Sequence, residues 1–206
     1  MNFNDLKQVN NLWRKIYPYL ALQIMENYRK DSGSVLELGP FSGGISLELA
    51  KFYPGLKITI ADESSEVVEY LRKEIATSGL SKEIEIEKRN LDRLIFNNSQ
   101  FDLVIFRGAF FFLDKKENLL REIFRVLKEG GMAFVGGGYG KDVPKEFIDE
   151  IADESRELNN RLGKKQISIK ELEEIIKKSK LTDKSEIEEE GGLWLNIKKI
   201  KGRGKA

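Results

Sequence analysis

The sequence predicts a doubly wound α/β fold: a mostly parallel seven-stranded sheet, an antiparallel C-terminal hairpin and an N-terminal helical extension. Three observations predict it. Short apolar runs alternate with segments of helical period through the middle of the chain. The first of these runs passes into a glycine turn and then a helix, "VLELGPFSGGISLELA" at residues 35–50. The last two runs are joined by Gly191-Gly192 and read as a hairpin.

The elements follow in order. Residues 5–16 place Leu6, Val9, Trp13 and Ile16 on one helical face, Pro18 interrupts the pattern, and residues 19–29 resume it with Leu20, Ile24 and Tyr28. "DSG" at 31–33 stops that helix, and "SVLEL" is a short buried strand. Residues 43–53 form a helix stopped by Pro54-Gly55, and "KITIAD" is the next strand. Ser64 or Ser65 caps a helix that carries Val67, Val68, Leu71 and Ile75 and closes at Gly79. "EIEIEK" alternates like a strand, while "FDLVIF" is continuously apolar, as a strand covered on both faces should be. Residues 115–128 are expected to be helical, with Leu119, Leu120, Ile123, Val126 and Leu127 on one stripe and Gly130-Gly131 ending it before the strand "MAFVG". Pro144 opens a helix with Phe147, Ile151, Leu158 and Leu162 inward, stopped by Gly163, and Ser168 with Glu171 makes a capping box for another. "KSEIEEE" and "LWLNIKKI" supply the closing hairpin. Residues 1–30 are thus expected as a helical cap, 31–200 as the sheet domain, and the basic tail 201–206 as disordered.

Composition narrows the function. The chain has 206 residues, 40% of them hydrophobic, enough for one sizeable core. Its 35 Lys+Arg against 34 Asp+Glu give no pull toward nucleic acid or an anionic membrane, and neither partner is expected. With no cysteine and no histidine, disulfides, thiolate metal sites and an imidazole base are excluded, and no metal is expected. The first residues lack a basic segment followed by an apolar run, and no apolar stretch reaches the roughly 20 residues of a membrane span, so a cytoplasmic protein is expected.

Ligands of open parallel sheets sit at the carboxyl ends of the strands, where Gly39 stands. A dinucleotide-type G-x-G-x-x-G reading finds Phe41 at its second glycine, and no Gly-Lys-Ser/Thr follows, so the turn offers no pyrophosphate or Walker-type cradle. The alternative is a tight strand–helix turn that merely needs glycine. Asp62 ends the next strand at the same edge, where a carboxylate can accept both hydroxyls of a ribose, or simply cap the following helix. Glu37 adds an acid that suits an ammonium or sulfonium. Together these point to S-adenosylmethionine.

At these residues the sequence resembles the class I S-adenosylmethionine-dependent methyltransferases, whose first motif is E/D-x-G-x-G-x-G. Glu37, Gly39 and Gly43 match it and Phe41 departs from the middle glycine. "ITIADESSEVVEYLRK" is similar to the second segment, "KRNLDRLIFNNSQFDLVIFRGAFFFL" to the third and fourth, with Asn90 where the family usually has Asp, and "LLREIFRVLKEGGMAFVGGG" to the helix, double glycine and fifth strand. The small-molecule branch, like the quinone methyltransferases, looks nearest. The resemblance implies a Rossmann-like methyltransferase fold, S-adenosylmethionine as cofactor and S-adenosylhomocysteine as product. It implies cofactor contacts from Glu37, Gly39, Phe41, Gly43, Asp62, Glu63, Asn90, Leu91 and Arg107, and a small-molecule acceptor. A non-catalytic binding module of the same fold and an NAD-dependent oxidoreductase are the alternatives.

Methyl transfer needs alignment and exclusion of water more than acid–base chemistry. Candidates on the acceptor side are Arg107, which could pair with an anion; Asp114, a catalytic acid or base or, more simply, a helix N-cap; and Tyr139, in a glycine run flexible enough to carry a loop over the pocket. Phe112 could supply an apolar wall. Trp13, Tyr17 and Tyr19 cluster around Pro18. They either pack on the sheet or form a lid, with Tyr17 and Tyr139 facing the acceptor from opposite sides and Trp13 as anchor.

Overall fold

A computed structural model describes residues 2–40, 42–91 and 93–200. Phe41 and the tail 201–206, on both of which an expectation rested, lie outside the described residues. Two helices, α1 (Phe3–Leu12) and α2 (Tyr17–Tyr28), lead into β1 (Ser32–Leu38), α3 (Gly44–Phe52), β2 (Gly55–Asp62), α4 (Ser65–Ser78) and β3 (Ile84–Lys88). Then come β4 (Phe101–Arg107), α5 (Lys116–Val126), β5 (Leu127–Gly138), α6 (Lys145–Arg161), α7 (Ile169–Lys178), β6 (Ser185–Glu188) and β7 (Gly192–Lys198). The strands lie in the order β3-β2-β1-β4-β5-β7-β6. The first five are parallel, and β7 runs antiparallel between β5 and β6. This is the doubly wound seven-stranded sheet with a closing hairpin that the alternating pattern predicts. The order reverses between β1 and β4, which opens a crevice at their carboxyl ends.

Local chemistry explains the boundaries. Asn2 caps α1 by accepting from the N–H groups of Asn4 and Asp5. Pro18 does not delay the second helix; it falls in the first turn of α2, where no backbone N–H is needed, so the helix starts at Tyr17. Ser64 caps α4, Gly79 closes it in the left-handed region, and the Ser168–Glu171 capping box starts α7. The strands are apolar on both sides because both faces are covered. Val35, Leu103, Ile105 and Phe134 pack under α1–α4 and α6, whereas Leu36, Val104, Phe106 and Val135 pack under α5 and α7.

Two expectations are corrected around β5. The helix over 115–128 ends at Val126, because Leu127 is already extended and pairs with Phe101; Gly130 and Gly131 lie within β5 rather than ending a helix. The glycine run after "MAFV" is not a flexible loop. Gly136, Gly137 and Gly138 pair with Trp194, Leu193 and Gly192 of β7. Gly136 has φ +143°, and a Cβ there would stand 2.2 Å from the Leu193 carbonyl oxygen. Gly136→Ala should therefore destabilise the protein by roughly 2 kcal/mol or more. A urea midpoint equal to that of the parent would contradict this packing account.

Candidate active site

The start of α3 is built around one carboxylate. Gly43, its N-cap, has no side chain to offer, and the helix has no side-chain cap of its own. Glu37, near the end of β1 and 1% exposed, takes that role. One of its oxygens accepts from Gly43 N–H at 2.9 Å and the other from Ser46 N–H at 2.8 Å. Burial raises the Glu37 pKa, opposed by those hydrogen bonds from Ser46 and Gly43 and by the charge of Arg107. Glu37 thus holds the turn from beneath, and both of its oxygens are engaged by loop amides.

Above it, Gly39 donates its N–H to the Ala61 carbonyl at 2.8 Å. A Cβ on Gly39 would lie 2.0 Å from Asp62 Oδ2. The glycine is needed because the Asp62 carboxylate fills the space beside it. Asp62 Oδ1 accepts from Ser64 N–H at 2.8 Å. Its Oδ2 is fully buried and receives no hydrogen bond of good geometry from the described residues; the buried Ser42 hydroxyl is its polar neighbour and pulls the Asp62 pKa down. Burial, first of all, pushes the Asp62 pKa up to about 6, against the pull of the Ser64 N–H. An acceptor-only oxygen buried without a well-placed donor among the described residues is costly.

Asp62 opens on a cavity of about 360 Å³ shared with Leu6, Pro40, Glu63, Leu91 and Phe112. Glu63 accepts from Leu91 N–H at 2.7 Å, tying the end of β2 to the segment after β3. Of the residues expected to contact a cofactor, the structure brings Asp62, Glu63 and Leu91 to this cavity and packs Gly39 against Asp62, whereas Glu37 is bonded to the start of α3 and Gly43 and Arg107 line other spaces. Asn90 is exposed, and its side-chain oxygen accepts from Arg93 N–H at 3.3 Å.

The neighbouring roof is aromatic and cationic. Arg107, at the end of β4 and 4% exposed, lies with its guanidinium 3.7 Å from the centre of the Trp13 ring. The other partner of Trp13 is Tyr139, stacked at 4.9 Å and 7°. The indole N–H donates to Ser155 Oγ of α6 at 2.9 Å. Trp13 thus ties the N-terminal segment to the ends of β4 and β5 and to α6. Tyr17 lies against Gly44, where a Cβ would meet its ring at 2.1 Å, and its hydroxyl donates to Asn10 at 2.5 Å. Burial pushes the Tyr17 pKa up to about 12. Tyr139 lines a cavity of about 190 Å³ under Trp13, whereas Tyr17 lines a separate one of about 260 Å³ over the start of α3. The two tyrosines therefore do not face each other across one cavity.

Asp114 is placed differently from either expectation. Lys115, not Asp114, is the N-cap of α5, and it makes no side-chain cap. Asp114 is exposed and paired with Lys165, which holds its carboxyl below the usual range. The ion pair competes successfully because the cap position falls one residue later. Ser46, Ser155, Asn159 and Lys164 carry no local sequence signal and meet the site only through the fold. Among the described residues no helix is long and apolar enough to cross a membrane, and no cluster of three or more His, Cys, Asp or Glu could hold a metal ion.

Known proteins match this chain. A family model described as a methyltransferase domain matches residues 35–131. The demethylmenaquinone methyltransferase of Leptospira interrogans is 32% identical over 156 residues, 73% of this chain and 59% of that protein. The ribosomal RNA small subunit methyltransferase G of Mycoplasma capricolum is 24% identical over 176 residues, 84% of this chain and 69% of that protein. A solved structure from Methanococcus maripaludis, provisionally described as an S-adenosyl-L-methionine-dependent methyltransferase, superimposes with a TM-score of 0.82 at 26% identity, covering 97% of this chain and 94% of that one. The chain thus spans less than two thirds of the length of the Leptospira relative.

The loop geometry makes a stability prediction. Glu37→Ala leaves the Gly43 and Ser46 amides without their acceptor, at about 1–3 kcal/mol each. Chemical denaturation should show a loss of at least about 2 kcal/mol, while Glu173→Ala, at an exposed position of α7, should stay within about 0.5 kcal/mol of the parent. Equal stability of the two variants would show that Glu37 does not hold the loop.

Proposed function

The chain belongs to the class I S-adenosylmethionine-dependent methyltransferases, and we propose that it transfers a methyl group from S-adenosylmethionine to a small-molecule acceptor. The observation that supports this reading is Asp62 Oδ2, buried with no hydrogen bond of good geometry among the described residues, at the strand end where a ribose would bind. The cavity fits a nucleoside: a carboxylate for the ribose, apolar Leu91 and Phe112 for the base, and no phosphate cradle. Asp62, Glu63, Leu91 and Phe112 would hold the nucleoside, with the turn at Gly39 closing its edge.

S-adenosylmethionine bound there supplies a methyl group on a sulfonium that already carries its leaving group. The chain's own contribution is to hold, align and exclude water. Glu37 fixes the turn against α3, and the Arg107–Trp13–Tyr139 stack closes the strand ends from above. Tyr139 and Arg107 are our candidates for positioning the acceptor. Neither tyrosine near Arg107 is tuned as a base: burial pushes Tyr17 up to about 12 and also raises Tyr139. Asp114, exposed and held ionised by Lys165, takes no part in this reading. With no histidine in the chain, the acceptor most consistent with the site brings its own nucleophile. The Leptospira relative is named for a quinone and the Mycoplasma relative for ribosomal RNA; the near-neutral charge of this chain supports a small molecule over RNA.

Isothermal titration should detect binding of S-adenosylmethionine and S-adenosylhomocysteine but not NAD. Asp62→Ala should weaken both by about 1–3 kcal/mol, the scale of hydrogen bonds to a charged group. Binding of NAD alone would overturn the assignment.

The pH dependence follows from Asp62. Its pKa of about 6 without ligand falls when hydroxyl donors bind, because they favour the ionised form. Binding is therefore strongest above pH 6 and weakens as pH falls through it, toward about tenfold per pH unit. The Kd for S-adenosylhomocysteine between about pH 5 and 8 should show this fall, and Asp62→Asn should flatten it. An equally steep fall in Asp62→Asn would place the titrating group elsewhere.

A further inference from the structure

Beyond the cofactor cavity the crevice continues. A narrow space of about 30 Å³ shares Phe112 with the cofactor cavity. It also shares Trp13, Gly137, Gly138, Asn159 and Lys164 with the 190 Å³ cavity beneath Tyr139. The three spaces form one run from the nucleoside end, past the Phe112 ring, to the end of α6.

Charge divides along this run. The cofactor cavity carries two acids, Asp62 and Glu63, and no cation. The two outer spaces are lined by Arg107, Lys164 and Arg156, the last already paired with Asp153 at 2.9 Å, with Asn159, Asn160 and Gln166 as neutral polar groups, and by no aspartate or glutamate. Lys164 is the sharpest feature. Its neighbour Lys165 turns outward and is neutralised by Asp114. Lys164 turns inward, with its ammonium 4.9 Å from the centre of the Phe111 ring. Backbone bonds hold it there: Lys164 N–H donates to the Asn159 carbonyl and Lys165 N–H to the Phe111 carbonyl, at 3.0 and 2.9 Å. Burial first, and then repulsion from Arg107, lowers the Lys164 pKa. Lys164 shares this partly dry space with Arg107, whose charge is offset by Glu37, and a bound anion would relieve the desolvation of Lys164 and its repulsion from Arg107.

We propose that the methyl acceptor is a small organic anion with an apolar body, its carboxylate received by Lys164 at the end of α6 and its body lying against Val9, Phe111 and Phe112. This rests on the methyl-transfer reading for the word acceptor, but the anion site itself stands on the cavity and its charges. Arg107 lies at the inner end of the same space, where it adds to the positive field without being the only ligand. The nucleophilic atom of such a molecule would point past Phe112 toward the cofactor cavity.

The test uses matched pairs of equal shape and different charge: benzoate and benzamide, phenylacetate and phenylacetamide, hexanoate and hexanamide. Binding is measured by calorimetry to the full chain, with and without saturating S-adenosylhomocysteine. At least one carboxylate should bind tenfold or more tightly than its amide. Lys164→Gln should abolish that preference, Lys164→Arg should keep it, and S-adenosylhomocysteine should bind all three proteins within twofold. No preference in the parent protein, a preference that survives Lys164→Gln, or a loss of S-adenosylhomocysteine affinity in Lys164→Gln would each overturn the proposal. If S-adenosylhomocysteine binds none of them, the methyl-transfer reading fails instead. The carboxylate preference, measured without it, still decides the anion site. Urea midpoints within experimental error of the parent establish that both variants are folded.

Discussion

The Glu37 carboxylate sits at the point where the sheet, the first crossover helix and the crevice meet. Its oxygens accept from Gly43 and Ser46 N–H, supplying α3 with the cap that a glycine N-cap cannot. That bond pair fixes how the chain leaves β1, and so where Gly39 lies. Gly39 in turn is packed so closely on Asp62 that a methyl group would displace the carboxylate. The placement of one buried acid thereby constrains a second, Asp62, whose side chain packs against Gly39 and lines the cavity. Burial makes both ionised forms costly. The first is compensated by the Gly43 and Ser46 amides, and the second in part by the Ser64 N–H.

The same economy of contacts appears at the other end of the crevice. Trp13 spends one contact on Arg107, another on Tyr139, and its N–H on Ser155. A single side chain from the N-terminal segment therefore holds together two strand ends and α6. The result is a crevice with acids where a nucleoside's hydroxyls would bind and cations where an acceptor would enter. Carboxylates line one end of this run of space and cations the other.

The sheet was legible because its pattern is redundant: period-2 and period-3.6 segments alternate, caps stand at Ser64 and Ser168, and the alternation calls for parallel strands joined by crossovers. What the pattern hid lies where a local signal has two meanings. Gly130-Gly131 reads as a helix stop, yet Leu127 is drawn into β5 by its pairing with Phe101. Gly136, Gly137 and Gly138 read as a flexible run, yet the closing hairpin at Gly136 and Gly138 and the Phe111 ring at Gly137 approach so closely that side chains would not fit. Asp114 reads as a cap, but a long-range partner, Lys165, holds it instead. Asp62 stood out because it ends a strand at the crevice edge. Lys164 did not, because nothing in "LGKKQ" distinguishes the lysine that turns inward from the one that turns out; that choice is made by hydrogen bonds to Asn159 and Phe111.

The central claim is that the unsatisfied oxygen of Asp62 is the ribose acceptor of a methyltransferase. A crystal structure of the chain with S-adenosylhomocysteine tests it most directly. The account predicts the ribose hydroxyls on the Asp62 carboxylate at about 2.5–2.8 Å, with the base beside Leu91 and Phe112 and Glu37 still bonded to Gly43 and Ser46. A nucleoside bound away from β2, or an Asp62 Oδ2 satisfied by a protein donor in the complex, would contradict it.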